Sequence, residues 1–412
     1  MKATPFGGLF VLEEFLNQVG FERLFGHVFG KYRRMRNHRP DRIVTMAMAT
    51  IASGGERLYD VCRFEDDPVI PDLFEMKTIP KDTTFRDEFA AIGVMDDRRR
   101  ELIFRLHEDF FRKQKTRIIT LDIDGSALPV DGHQEGALKG YCPQEPGSRC
   151  FQTLTAICDE TETALSEQTY PGNTKWDTAD LQAFLKPILD RFSPLMDRIV
   201  LRLDAGMWSG KLILFLETYK NVIYLIDKPK HAPLQEKIKT LVYKSYHGSE
   251  RQYSVFCEEG STRYHYVERT KLPAGTQTDL FESDGYFYRV VVCNEKRQPH
   301  IVFRRYNQRG RVEKHFEELK NQYALGKMVS RNFSVTKALC WLSYLTFTIM
   351  GMLRFVAFRK QMAKYRLRRL RFILFTTMAS LAKHSGQVVL NIALSRITPW
   401  KFNGIMDRIW AY

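Results

Sequence analysis

The chain has 412 residues, 44% hydrophobic and 27% charged, proportions that exclude a disordered or fibrous protein and allow a sizeable core. Lys and Arg outnumber Asp and Glu to give a formal net charge of +15, which favours polyanionic partners because neutralising phosphates releases condensed counterions. Nucleic acid leads over an anionic membrane surface, which would need an anchor. Length alone allows roughly two to three domains, or one large catalytic domain with an insertion.

Cysteines at 62, 142, 150, 158, 257, 293 and 340 are odd in number and form no C-x-x-C pair, so neither a disulfide framework nor a structural zinc site is expected. The opening MKATPFGGLFVLEEF carries two glutamates in its apolar run and does not read as a secretory signal, so a reducing cytoplasm is the expected compartment.

Residues 1 to 115 read as helical, with amphipathic runs at Leu9 to Val19, Arg42 to Ser53 and Arg98 to Phe111. Lys31, Arg33, Arg34, Arg36, His38, Arg39 and Arg42 form a basic cluster, either a solvated face or a phosphate contact. Arg42 to Ser53, Gly54 and Gly55, then Glu56 to Phe64 have the outline of a helix-turn-helix. Lys81, Asp82, Thr83 and Thr84 open a further helix with acids in its first turn.

From Arg117 the period changes. Ile119, Leu121 and Ile123 alternate with Thr120, Asp122 and Asp124, a strand with one buried face and carboxylates on the other. Cys150 to Cys158 and Thr163 to Tyr170 read as two more strands of an antiparallel meander. A helix at 178–192, a strand Ile199 to Leu203 ending at Asp204, a helix Lys211 to Tyr219 and a strand Val222 to Ile226 complete the order βββαβαβ. Four β-rich runs follow, Tyr253 to Cys257, Arg263 to Val267, Tyr286 to Cys293 and Ile301 to Arg304. Then come a helix at 308–323 and an apolar helix at 336–358. Its core, Ala338 to Leu353, is shorter than the roughly 20 residues that span a bilayer, so it reads as a buried core helix. A tail with Arg359, Lys360, Lys364, Arg366, Arg368, Arg369 and Arg371 closes the chain, as a DNA-binding stripe or a solvated helix end.

Acids at strand ends can converge to hold metal ions for phosphoryl transfer. Asp204 closes an apolar strand before the small Ala205 and Gly206, and Asp122 and Asp124 share the polar face of the first strand. In YNQRGRVEKHFEELK, Tyr306, Arg309, Glu313 and Lys320 have the spacing Y-x2-R-x3-E-x6-K. On one helix Arg309, Glu313 and Lys320 would point the same way, beside an apolar stripe of Val312, Phe316, Leu319 and Tyr323.

Strand Asp, strand Asp, β insertion and Y-x2-R-x3-E-x6-K together resemble the DDE transposases of bacterial insertion sequences. LDIDGSALPVDGHQEGALKG, RLDAGMWS and the helical ASGGERLYDVCRFEDDP are similar to the branch carrying L-D-x-D-x-T and G-H-Q-E-G, with Ser126 in place of Thr. The resemblance implies an α/β, ribonuclease H-like mixed sheet with flanking helices and an inserted β-rich subdomain, after an all-helical N-terminal domain. It divides the chain into a helical, DNA-binding 1–115, a catalytic 116–239, a β-rich insertion 240–305, the catalytic remainder 306–358 with the glutamate helix, and a basic helical tail 359–412.

The implied catalytic and metal-binding residues are Asp124, Asp204 and Glu313, with Asp122 open as an alternative to Asp124, and the implied cofactor is two Mg²⁺ ions, replaceable by Mn²⁺. Tyr306, Arg309 and Lys320 are the implied contacts to the phosphates of the transposon end. An aromatic residue of the insertion, among Tyr253, Tyr264, Tyr266, Tyr286 and Phe287, is implied to stack on a flipped base. His133 in GHQEG is either an acid or ligand, or a hydrogen-bonding scaffold, and Gln134 and Glu135 are supporting groups of the cleft. The implied activity is cleavage of double-stranded DNA at terminal inverted repeats and 3′-hydroxyl strand transfer into target DNA, by a homodimer on the nucleoid with no membrane partner. The alternatives are a non-catalytic DNA-binding regulator or inactive relic, and a nuclease of the same fold without strand transfer.

Overall fold

The structure is a computed structural model that describes residues 2–33, 37–246, 250–258, 260–273, 284–384 and 387–412. A short strand β1 (Lys2–Thr4) precedes helices α1 (Phe10–Gln18), α2 (Phe21–Phe29), α3 (Pro40–Ala52), α4 (Ile70–Leu73), α5 (Asp82–Gly93) and α6 (Asp96–Gln114). Pro40 opens α3, where its missing N–H goes unneeded. Every α3 residue from Asp41 to Ala52 is buried, so this helix offers no face to a DNA groove. The helix-turn-helix expectation therefore fails: α3 is a core helix, and Leu58–Phe64 after it forms a 3₁₀ helix.

The basic cluster beside α3 is largely neutralised within the helical layer. Arg33 pairs with Glu88, Arg39 with Glu22 and Asp41, and the buried Arg42 with Glu13 and Glu75. Arg34 and Arg36 lie outside the described residues.

One mixed sheet carries the middle of the chain. Its strands are β2 (Ile118–Pro129), β3 (Leu138–Lys139), β4 (Arg149–Cys158), β5 (Thr163–Pro171), β6 (Arg198–Leu203), β7 (Val222–Asp227), β8 (Lys244–Ser245), β9 (Gln252–Cys257), β10 (Tyr264–Lys271) and β11 (Tyr286–Cys293). They run in the order β3-β4-β2-β6-β7-β11-β10-β9-β8, with β5 also paired to β4. The expected meander is present as antiparallel β2, β4 and β5, and β6 and β7 then join β2 in parallel. Helices α7 (Thr178–Phe192), α8 (Gly210–Leu216) and α9 (Ala232–Lys239) make the crossovers and the link to the later strands. The β-rich run extends the main sheet, since β11 pairs antiparallel with β7 from Val291↔Asp227 to Cys293↔Leu225.

Ile301 to Arg304, read as a strand, lies instead within helix α10 (Pro299–Asn307). Pro299 sits in its first turn, and Val302, Phe303 and Tyr306 fall on one face that packs on Val200, Leu225, Tyr253 and Tyr266 of the sheet. Helix α11 (Arg311–Gln322) buries Val312, Phe316 and Leu319, with Tyr323 just beyond its end, as the apolar stripe predicts.

Helix α12 (Phe333–Ala357) has 25 residues and is long and apolar enough to cross a membrane, yet 94% of its apolar window is buried inside the fold. It crosses the β4–β5 corner so closely that a Cβ on Gly351 would lie 2.5 Å from the carbonyl oxygen of Glu162. Around it, one continuous core joins the N-terminal helices, the first face of the sheet and the C-terminal segment.

Residues 359–412 are not uniformly helical. Between α13 (Leu367–Leu370) and α14 (Pro399–Trp410) lie strands β12 (Ala379–His384) and β13 (Gln387–Ile392), and β12 pairs with β1. The basic run that suggested a helix stops at Arg371, and the Val388, Val389 and Ile392 that follow favour a strand. Arg371 itself is a cap, donating to the carbonyls of Ala52 at 2.9 Å and Ile51 at 3.1 Å at the end of α3. Arg366 faces Glu317 and Glu318, while Arg368 and Arg369 stay exposed.

Candidate active site

Parallel register brings two acids to the same level of the sheet. Ile118 pairs with Arg198 and Asp122 with Arg202, so Asp124 and Asp204, two residues farther along each strand, fall side by side where the pairing ends. Alternation gives the two faces different fates. Ile119, Leu121 and Ile123 of β2 and Ile199, Leu201 and Leu203 of β6 enter the main core, whereas Asp122, Asp124 and Arg202 face the junction between α10 and α11.

Asp122 and Asp124 share that face but not a role. Asp122 is 1% exposed and is held by both prongs of Arg202, with Nε 2.6 Å from Oδ1 and Nη2 2.7 Å from Oδ2. Asp124 opens onto a cleft lined by Gly125, Ser126, Trp176, Asp204 and Met207. Asp204 caps the short turn Ala205–Met207 through the N–H of Met207, at 3.2 Å.

Arg309 joins the two cleft acids. Its Nη2 lies 3.1 Å from Oδ1 of Asp124 and 3.5 Å from Oδ2 of Asp204, and its Nε is buried without a hydrogen-bond partner. Arg309 sits in a 3₁₀ turn, Gln308–Gly310, ahead of α11, which frees its guanidinium to turn toward the sheet. Burial raises the Asp124 carboxyl to a pKa of about 6, against the pull of Arg309, and the charges of Asp204 and Glu313 push the same way as burial.

Glu313 lies in the first turn of α11, solvent-exposed but near enough for its charge to be felt at Asp124. Among the described residues, no three His, Cys, Asp or Glu side chains converge to metal-ligand distance. The donor set nonetheless fits a hard divalent cation: all three candidates are carboxylates, and two already share one positive group between them.

The other two signature residues bond to backbone. Tyr306 is 4% exposed and donates its hydroxyl to the carbonyl of Leu203 at 3.1 Å, directly before Asp204. Lys320 is half-buried and donates from Nζ to the carbonyl of Ala127 at 2.8 Å. Together they tie α10 and α11 to the two acid-bearing strands.

The GHQEG loop reaches α12 rather than the acids. Glu135 accepts the N–H of Phe333 at 3.0 Å through Oε2 and donates its own N–H to Arg331, and His133 is exposed. Of the aromatic candidates, Tyr253 and Tyr266 are buried in the sheet, Tyr286 lies under Arg269, and Phe287 is 42% exposed beneath Lys230.

Two members of this site escape a motif-based reading. Trp176 packs on the strand so tightly that a Cβ on Gly125 would come within 2.2 Å of its ring. Arg202 carried a visible signal, a lone cation inside the apolar run IVLRL, but its meaning depends on the register that sets Asp122 opposite.

A family model described as transposase DDE domain group 1 matches residues 2–411. A cryo-electron microscopy structure of a piggyBac transposase synaptic complex with hairpin DNA is similar at 12% identity and a TM-score of 0.45, covering 90% of this chain and 80% of that one. No curated protein matches. Because the family match runs almost from end to end, the chain belongs to the transposase DDE domain family, group 1, a family of DNA transposition.

Proposed function

We propose that this transposase cuts double-stranded DNA at the terminal inverted repeats of its own element and joins the freed 3′-hydroxyl to target DNA, in a divalent-metal-dependent reaction. The observation that carries this reading is the single guanidinium nitrogen of Arg309 shared by Asp124 and Asp204, which lie side by side where the parallel pairing of β2 and β6 ends. Asp124, Asp204 and Glu313 would hold Mg²⁺, with Mn²⁺ as a substitute. Asp124 is preferred to Asp122 because Asp122 is already saturated by Arg202. When bound, such ions lower the pKa of an attacking water or hydroxyl and neutralise charge on the leaving oxygen.

The protein's own groups prepare that site. Tyr306 fixes the end of β6, and thus Asp204, through the Leu203 carbonyl. Arg309 neutralises the acids without DNA and has the planar fork that suits a phosphate once DNA enters. Lys320, half-buried beside β2, is the second cation proposed to reach the terminal phosphates. Trp176 over Gly125 forms a wall against which the DNA end is placed. Two ends must be processed together, so a homodimer on DNA is the proposed active form.

The test is Mg²⁺-dependent cleavage of a duplex carrying the element end by wild type, Asp204→Asn and Glu313→Gln. Nicking at the terminus by wild type only, with end binding unchanged in the variants, is expected. Wild-type-like cutting by either variant would overturn the assignment. Tight end binding with no cutting by any of the three would favour a non-catalytic regulator.

A further inference from the structure

Arg202 is the most deeply buried arginine near the cleft, 1% exposed, and its N–H groups bind three separate parts of the chain. Nε and Nη2 hold Asp122 of β2. Nη2 also lies 3.1 Å from Oδ2 of Asp159 at the β4–β5 corner. Nη1 donates to the carbonyl of Arg305 at 3.0 Å, and 3.4 Å separates it from Oε1 of Gln308, so it reaches the α10–α11 junction. The other oxygen of Asp159 takes Arg311, the first residue of α11, at 3.2 Å. The junction that carries Arg309 and leads into Glu313 is thus tied at residues 305, 308 and 311 to one buried ionic cluster.

We propose that the Arg202 cluster, with Asp122 and Asp159, is a positioning device that sets the α10–α11 junction, and through it Glu313 and Arg309, against Asp124 and Asp204. This rests on the functional reading above, in which those acids are the metal ligands. The register makes the arrangement economical: the pair one step inside the sheet, Asp122 and Arg202, is in the same alternation as the pair at the mouth, Asp124 and Asp204. Whatever shifts Arg202 shifts both the strand that bears Asp204 and the turn that bears Arg309. A hydrophobic pair of similar volume can replace a buried ion pair with little loss of stability, but it cannot bind the Arg305 carbonyl, Gln308 and Asp159.

The experiment follows from that difference. The double variant Asp122→Leu with Arg202→Met is compared with wild type in thermal unfolding, binding of end DNA, hydrogen exchange at amides 309–313, and the Mg²⁺ concentration that half-saturates the ion-induced rise in unfolding temperature. Asp159→Asn, at the rim of the cluster, serves as a second, milder variant that weakens the ties of Asp159 to Arg311 and to Arg202 but keeps the Asp122–Arg202 pair. Expected are cooperative unfolding without metal at a moderately lowered temperature, since Asp159 and the Arg305 carbonyl each lose one partner, and unchanged end affinity, with exchange at 309–313 faster by about tenfold or more and the half-saturating Mg²⁺ raised about 10–100-fold. Cleavage should fall about a hundredfold and recover partly at high Mg²⁺, with Asp159→Asn intermediate. Variants that match an active, metal-binding wild type in ion affinity and cleavage overturn this proposal alone. A wild-type chain that neither binds the ion nor cuts overturns the functional reading, and the positioning role with it.

Discussion

Arg309 touches Asp124 through Nη2 at 3.1 Å, and this contact opposes, without cancelling, the cost of burying the carboxylate. Burial raises the Asp124 carboxyl to about 6 even though the guanidinium opposes the shift. The raised value means that the fold prefers the neutral acid: its stabilising contribution is present below the unfolded value of 3.8 and is lost as pH rises through about 6. Asp124→Asn should therefore stabilise the metal-free protein at about pH 8, by up to about 3 kcal/mol, and hardly at all at about pH 4. Urea unfolding in the presence of a chelator measures the gap at both pH values. A gap independent of pH would show that the carboxylate carries no such cost.

Tyr306 offers a sharper separation of roles. Its hydroxyl is committed to the carbonyl of Leu203, so Tyr306→Phe leaves a buried acceptor unpaired and should cost about 1–3 kcal/mol of stability. The end of β6 should then hold Asp204 less firmly, lowering the cleavage rate while leaving affinity for end DNA and its salt dependence unchanged. A phosphate contact behaves otherwise: its loss would weaken binding and reduce the slope of log affinity against log salt by about 0.9. Binding titrations across a salt series, run beside single-turnover cleavage, distinguish the two.

These residues show where a sequence is legible and where it is not. Strands β2, β4, β5, β6, β7 and β11 follow from local alternation, and the apolar stripe of α11 follows from its 3.6-residue period. The acids on the polar face of β2 and just after β6 were visible for the same reason. The partners of those acids were not, because Arg202 meets Asp122, and Arg309 meets Asp124, only through register and through a turn ahead of α11. Ile301 to Arg304 misled because a β-branched pair beside aromatic residues suits either element, and only the packing of Phe303 and Tyr306 on the sheet decides for helix. The basic clusters misled in another way, since charge composition is silent about pairing: Arg42 and Arg371 are spent inside the protein.

Gly125 sets the shape of the cleft wall. With a Cβ only 2.2 Å from the Trp176 ring, Gly125→Ala must displace the indole, because β2 is held at this point by its pairing with β4, Gly125 opposite Leu154. The overpacking should cost about 1–3 kcal/mol. More tellingly, Trp176 should move toward solvent, red-shifting its fluorescence, and cleavage should fall more than stability does. Gly125→Ala combined with Trp176→Phe, which removes part of the clashing ring, should recover stability. If the single variant left both fluorescence and cleavage unchanged, the indole would have no part in shaping the cleft.

His107 governs acid sensitivity far from the cleft. It is fully buried on α6, with Nδ1 donating to the carbonyl of Ile103 at 2.9 Å and Nε2 2.9 Å from Oγ1 of Thr163 on β5. A carbonyl can only accept, so the proton sits on Nδ1 and the neutral ring accepts from the threonine hydroxyl. Burial lowers its pKa to about 4 from 6.5, so the stabilisation that comes from keeping the ring neutral is complete above about 6.5 and is lost as pH falls through about 4. The full effect is roughly 3 kcal/mol. Replacing His107 with Gln removes the titrating group; it costs about 1–3 kcal/mol near pH 7, where the native contacts are lost, but that deficit should shrink steadily as the pH is lowered. Glu13 and Glu88, whose carboxyls burial raises to about 7, act in the opposite sense over part of this range, so the difference between variant and wild type isolates the histidine. Unfolding free energies from pH 7 down to about 4 should show wild type taking up close to one more proton on unfolding than His107→Gln. Parallel curves for the two proteins would mean that His107 is not the group that titrates.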